Sequence, residues 1–190
     1  MKKIKYLILI LILFVFYIPS VRANEPSIVY SSHVQYQGWQ KVFSNGEISG
    51  TTGRSLRVEA MKIKLVGING SVNYQAHVQY QGWQKEASDG EISGTTGRSL
   101  RLEAIKINLT GEVAEKYDVY YQAHVQYQGW QPWKKNGEIA GTTGMNRRLE
   151  AIRIKLVSKE NPVTLTYKTN VKDVGWQNSV NNGEISGTVG

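Results

Sequence analysis

The stretch DGEISGTTGRSLRLEAIKINL, residues 89–109, holds two turns and a strand in order. Asp89-Gly90 is the dipeptide favoured by a two-residue type I′ hairpin turn, whose central residues both take positive φ. Gly94 and Gly97 then bracket a second tight turn, because glycine enters that region without a steric penalty. The segment beyond them is strand-like. In the matching stretch 57–65, Met61, Ile63 and Leu65 fall on one face and Lys62 and Lys64 on the other, the alternation of a strand with one dry side and one wet side. The same 21-residue pattern stands at 45–65 and 136–156, and its first part returns at 182–190.

Outward from this pattern lies a second one. HVQYQGWQ occupies residues 33–40, 77–84 and 124–131 without a change. Leading into it, Tyr74, Ala76, Val78 and Tyr80 share one strand face, while Gln75, His77 and Gln79 share the other. The Gly-Trp pairs place Trp39, Trp83, Trp130 and Trp176 at spacings of 44, 47 and 46 residues. A period of this size marks an array or a closed pseudo-symmetric fold, in which one unit cannot bury its own apolar face. The fourth copy keeps GWQ and NGEISG but has Asn170 in place of histidine and Asp173 in place of Tyr36, Tyr80 and Tyr127.

About four short strands per unit and roughly twelve in three units are expected from the alternation and the turns. Threefold closure would shield sheet edges that an open array leaves bare. The expected fold is all-β: a pseudo-threefold repeat domain of short antiparallel strands, β-prism-like or β-trefoil-like, plus a partial fourth repeat. The expected divisions are 1–23, a leader; 28–67, 72–111 and 119–158, repeats 1 to 3; and 163–190, the partial repeat. An open chain of independent modules, linked through 67–72 and 111–119, is the competing architecture; the first linker is short for a flexible joint.

The composite GWQ…NGEISGTTGRSLRLEAIKI closely resembles the ChW repeat, the clostridial hydrophobic repeat named for its tryptophan. The resemblance extends over three full copies and one partial copy, from Val29 to Gly190. It implies an exported or surface-associated protein whose repeats bind polysaccharide or other surface proteins, without identifying a ligand. Two departures stand out: the fourth copy lacks the histidine and tyrosine, and it ends before its RLEAIKI strand.

The first residues agree with export. Lys2, Lys3 and Lys5 precede an uncharged apolar run from Tyr6 to Ile18, and Val21-Arg22-Ala23 offers a small-residue cleavage pattern. The run is shorter than the roughly 20 residues of a membrane-spanning helix, which favours a cleaved leader over a retained anchor. The expected location is outside the cell, secreted or at the cell surface, with no membrane insertion after cleavage. The chain's formal charge is +8, and removing the leader's four bases leaves +4. That surplus suits an anionic surface, and the absence of an arginine-rich cluster argues against nucleic acid. With no cysteine, neither disulfides nor thiolate metal sites are available.

Four residue types could carry chemistry. An exposed indole beside amides is a common way to hold a sugar ring, with Trp39, Trp83 and Trp130 as platforms and His33, His77, His124, Gln35, Gln79, Gln126 and Gln40 as polar partners. The bland and stronger reading makes each repeated tryptophan a core plug. Trp133 occurs only in the third copy, so the common core does not require it, and it is the better exposed aromatic. The three histidines could form a metal site if they converged on a threefold axis, but alternation puts them on the polar strand face, as surface histidines bonded to a neighbouring strand. The repeated acids Glu59, Glu103 and Glu150 come two residues after Arg57, Arg101 and Arg148, which favours a structural ion pair at a unit boundary over a glycosidase pair. Every acid is copied by the symmetry, whereas an active site needs two carboxyls in different environments. The expectation is a non-enzymatic module with no cofactor and no metal. Its partner would be extracellular or cell-wall polysaccharide or, alternatively, a surface protein docked along exposed sheet edges.

Overall fold

A computed structural model describes residues 25–160, 166–181 and 186–187. The leader expected at 1–23 and the fourth turn at Asn182-Gly183 lie outside the described residues.

Each of the first three repeats folds into two long strands separated by three strands of two residues. The first contains β1 (Ser27–Val34), β2 (Gly38–Trp39), β3 (Phe43–Ser44), β4 (Ser49–Gly50) and β5 (Val58–Val66). The second contains β6 (Ser71–Val78), β7 (Gly82–Trp83), β8 (Ala87–Ser88), β9 (Ser93–Gly94) and β10 (Leu102–Thr110). A five-residue helix, α1 (Glu112–Lys116), fills part of the next linker. The third contains β11 (Tyr117–Val125), β12 (Gly129–Trp130), β13 (Lys134–Lys135), β14 (Ala140–Gly141) and β15 (Leu149–Ser158). In the partial repeat β16 (Thr166–Tyr167) pairs with β19 (Val180–Asn181), and β17 (Asn170–Val171) pairs with β18 (Gly175–Trp176).

The two long strands of a unit pair antiparallel, and the first also carries the two short strands that come after it. The remaining short strand leaves home. β9 of the second unit pairs with β5 of the first, β14 of the third with β10 of the second, and β4 of the first with β15 of the third. Three sheets are thereby joined in a closed cycle. The open-array architecture is excluded for these three units, and each unit has five strands rather than four.

Alternation in the long strands sets the core. Met61, Ile63 and Leu65 are buried while Lys62 and Lys64 are exposed, as the sequence requires. Tyr30, Tyr74 and Tyr121 are the largest fully buried side chains. Each phenol reaches across a unit boundary: Ile154 N–H donates to Tyr30 Oη at 3.1 Å, Ile63 N–H to Tyr74 Oη at 3.1 Å and Ile107 N–H to Tyr121 Oη at 3.3 Å. The same hydroxyls donate to the carbonyls of Glu47, Glu91 and Glu138 within their own units. A buried phenol is thus satisfied on both sides of the seam, which removes the cost of an orphaned hydroxyl.

The turns show why their residues recur. Asn45 and Gly46 both take positive φ, 33° and 92°, as a type I′ turn demands. The Asn or Asp side chain has a second use: Asn45, Asp89 and Asn136 accept from the backbone N–H of Ile28, Val72 and Val119 at 3.0 to 3.1 Å. The glutamate after the turn glycine clamps the turn from outside, with Glu47, Glu91 and Glu138 accepting from the N–H groups of Ser44, Ser88 and Lys135 at 2.7 to 2.9 Å. These bonds hold the Glu47 carboxyl below the usual carboxylate range. At Gly50, Gly94 and Gly141, φ is 108° to 109°, and these residues form the interunit strand rather than merely bracketing a turn.

Candidate functional site

On the outer side of each unit the repeated polar residues form one constellation. It begins with a bulge. His33 pairs with Ala60, but Val34 pairs with Val58, so Glu59 is the extra residue of β5. The same shift leaves Glu103 and Glu150 extra in β10 and β15. A bulge re-aims a side chain. Here it brings each glutamate against a base of its own strand and a histidine of the neighbouring one. Glu59 Oε1 lies 2.7 Å from an Arg57 terminal nitrogen, and Glu59 Oε2 lies 3.1 Å from His33 Nδ1. Arg101, Glu103 and His77 repeat this at 2.7 and 3.2 Å, and Arg148, Glu150 and His124 at 2.8 and 3.1 Å. The ion pairs expected from sequence are present, but inside each unit rather than at a unit boundary. The histidines lie in three different sheets, each committed to its own glutamate, and no cluster of metal-binding side chains occurs among the described residues.

Against each imidazole stands the tryptophan of the next short strand. The His33–Trp39, His77–Trp83 and His124–Trp130 ring centroids are 5.3 to 5.4 Å apart, in edge-to-face geometry. A cation from the second long strand covers the indole: Lys62 over Trp39 at 4.7 Å, Lys106 over Trp83 at 4.2 Å and Arg153 over Trp130 at 4.2 Å. The core-plug reading of the tryptophans is therefore corrected. Trp39 is 37% exposed, Trp83 and Trp130 are half-buried, and the large aromatic of the core is the tyrosine four residues before each octapeptide's valine. The unique Trp133 is exposed as its single occurrence suggested, with Lys155 Nζ 4.6 Å from its ring centroid. In the partial repeat Trp176 carries Lys168 at 5.0 Å.

The glutamines divide by role. Gln40 and Gln131 accept through Oε1 from the N–H groups of Gly50 and Gly141 at 2.7 and 2.8 Å, tying the octapeptide's end to the strand that crosses to the neighbouring unit. Gln40 is thus a structural residue and not a free ligand partner. Gln35, Gln79 and Gln126 are half-buried, and their backbone N–H groups donate to the carbonyls of Arg57, Arg101 and Arg148 at 3.0 Å.

The tyrosine at the centre of the octapeptide is a surface residue, whereas period-2 alternation assigns Tyr80 to the apolar face. The strand ends at Val78, and the chain turns back so that Tyr36, Tyr80 and Tyr127 take φ of 62°, 64° and 63°. Their side chains are 91%, 87% and 88% exposed. A left-handed backbone is costly for an aromatic residue, whereas Asn, Asp and Gly enter it readily. The signal was present in the fourth copy, where Asp173 occupies the equivalent place at φ 64°.

A cleft of about 620 Å³ lies elsewhere, among the linkers, with Ile68, Asn69, Glu112, Lys116 and Glu160 on its walls. Its Glu112 carboxylate is held below the usual range by hydrogen bonds from Lys116 and Asn69. A carboxyl held ionised in this way is a poor proton donor near neutral pH.

Comparison with known families bears on this repeated constellation. A family model, Clostridial hydrophobic W (ChW), matches residues 33–67, 77–111, 124–158 and 170–190. The chain belongs to the ChW family. Each full match begins at the histidine of the constellation and runs through the second long strand, so one ChW repeat contains the imidazole, indole, cation, glutamate and exposed tyrosine of one unit. The fourth match begins at Asn170, the position of the missing histidine. No curated protein and no solved structure matches the chain. ChW is a repeat-module family, and the fold built from it here is a closed β body with the same outer surface presented three times.

Proposed function

We propose that this ChW protein is a secreted, non-enzymatic binding module that holds extracellular or cell-wall polysaccharide through several equivalent and individually weak sites. The observation that carries this reading is the trio Tyr36, Tyr80 and Tyr127, each almost fully exposed and each held in a backbone conformation that disfavours tyrosine. Strain that folding does not require points to a use at the surface. An exposed phenol and a partly exposed indole in the same repeat offer flat apolar surface and hydrogen bonding, which is what a sugar ring needs. Three copies on one rigid body make a weak site useful: affinities near ~1 mM per site still retain a polymer, since later contacts form at high effective concentration.

The competing reading, a protein partner added along a sheet edge, receives less support. The edges of the three main sheets are strands of two residues, too short a template for an incoming chain. Ile48, Ile92 and Ile139, 40% to 49% exposed, are the repeated apolar residues that would serve such a partner.

The test is to replace all three tyrosines by asparagine and measure both retention on polysaccharide and thermal stability. The expected result is weakened retention with stability unchanged or raised, by about 0.5 to 1 kcal/mol per site as the left-handed strain is relieved. Unchanged retention would refute the reading, and no retention of the unaltered chain on any polysaccharide, with capture of a surface protein that Ile92→Ser abolishes, would favour the protein partner.

A further inference from the structure

Every tryptophan in the described residues stands beneath a base: Trp39 under Lys62, Trp83 under Lys106, Trp130 under Arg153, Trp133 under Lys155 and Trp176 under Lys168. Separation is 4.2 to 5.0 Å in all five cases: Lys62, Lys106 and Arg153 share one repeat position filled by two types of base, and Lys155 and Lys168 come from elsewhere. A neutral sugar approaching a covered indole face must displace the cation and forfeit that contact. A sugar carrying an anionic group keeps it, because the group pairs with the ammonium or guanidinium while the ring packs on the aromatics.

Resting on the polysaccharide reading, we infer that the ligand is an anionic sugar polymer, its carboxylate or phosphodiester groups held by Lys62, Lys106, Arg153 and Lys155 at the tryptophan sites. Charge along the chain ranks those sites. The third matched repeat, 124–158, has six bases against two acids, the first, 33–67, five against two, and the second, 77–111, four against four. The third also has two indole–cation pairs where the others have one. It is the principal site, the first supports it and the second contributes least. The bases nearest the core of each site, Arg57, Arg101 and Arg148, are committed to glutamates, so attraction falls to the bases over the indoles.

The experiment measures retention of the full chain on immobilised polygalacturonate, its methyl ester, teichoic acid, cellulose and polyglutamate across a salt series. Retention on polygalacturonate or teichoic acid that falls with salt and is lost on esterification supports the inference; which of the two binds more tightly identifies carboxylate or phosphodiester. The double variant Lys62→Gln/Lys155→Gln should weaken that retention about tenfold, at roughly threefold per cation, while Lys85→Gln, exposed and not one of the bases over the indoles, leaves it unchanged. Equal, salt-insensitive retention on the methyl ester or cellulose would overturn the anionic ligand while leaving the polysaccharide reading intact. No retention on any sugar polymer, or equal retention on polyglutamate, would overturn both.

Discussion

Replacing Gly50 by alanine tests the seam where the first unit closes on the third. A Cβ at Gly50 would meet the Glu150 carbonyl oxygen, and would lie 2.5 Å from Ala151 Cα and 3.0 Å from Ala151 Cβ. These neighbours are backbone or the root of a side chain, so no flexible end can move aside. The backbone also sits at φ +108°, where an L residue is strained by about 1 to 3 kcal/mol. Relief requires β4 to draw back from β15, stretching the bond from Thr51 N–H to the Glu150 carbonyl, 2.8 Å, and the short ladder beside it. Two such bonds are worth about 1 kcal/mol each, giving a total near ~3 to 5 kcal/mol. For a body of this size that lowers Tm by roughly 10 °C. The internal control is Gly53→Ala, where φ is +69° and nothing lies within 4 Å of the new Cβ. It should cost only about 1 kcal/mol. Urea unfolding monitored by circular dichroism on both variants measures the difference. If Gly50→Ala falls within about 1 kcal/mol of Gly53→Ala, the seam does not hold the body closed.

The core and the surface give further expected outcomes. Trp83→Ala should cost only about 1 to 2 kcal/mol in urea unfolding, below the ~3 to 5 kcal/mol of a buried tryptophan, because Trp83 packs outside the core. Tyr74→Phe should cost about 1 to 3 kcal/mol, since the buried N–H of Ile63 and the carbonyl of Glu91 both lose their partner. Burial pushes the Tyr121 phenol up to about 12 and raises Tyr30 and Tyr74 in the same direction. With native values above the unfolded value near 10, these phenols contribute stability that is full below that pH and lost as pH climbs toward 12. Tm measured from pH 9 to 12 should therefore fall, and should fall less steeply in Tyr121→Phe.

The repeat, its turns and the dry face of its long strands were legible in the sequence because they rest on local rules: Asn45-Gly46 needs positive φ, and Met61, Ile63 and Leu65 need one side of a strand. Closure was inferred from edge protection, but its device was not visible. Ser49-Gly50 looks like part of a turn, and only tertiary pairing shows that it belongs to the sheet of another unit. The extra residue at Glu59 was hidden in the same way, since a bulge arises from register with a partner strand and leaves no mark in one strand's alternation. The site was half legible. His33, Trp39 and Glu59 were visible as repeated residues, yet period-2 alternation carried one step too far sent Tyr80 inward, and a preference for repeated tryptophans as plugs hid the cations above them. Nothing in linear spacing brings Lys62 to Trp39; the pairing of Ser31 with Lys62 and of His33 with Trp39 does.

The exchange of short strands around the ring also sets a timetable for the nascent chain. Tyr30 must wait for Ile154, 124 residues downstream, before its phenol can accept that residue's N–H. On a ribosome adding roughly 5 to 20 residues per second, the opening repeat spends many seconds with its hydrophobic side uncovered. So late a contact predicts slow maturation and an early dependence on chaperones, and it makes the final long strand the step that commits the whole molecule at once.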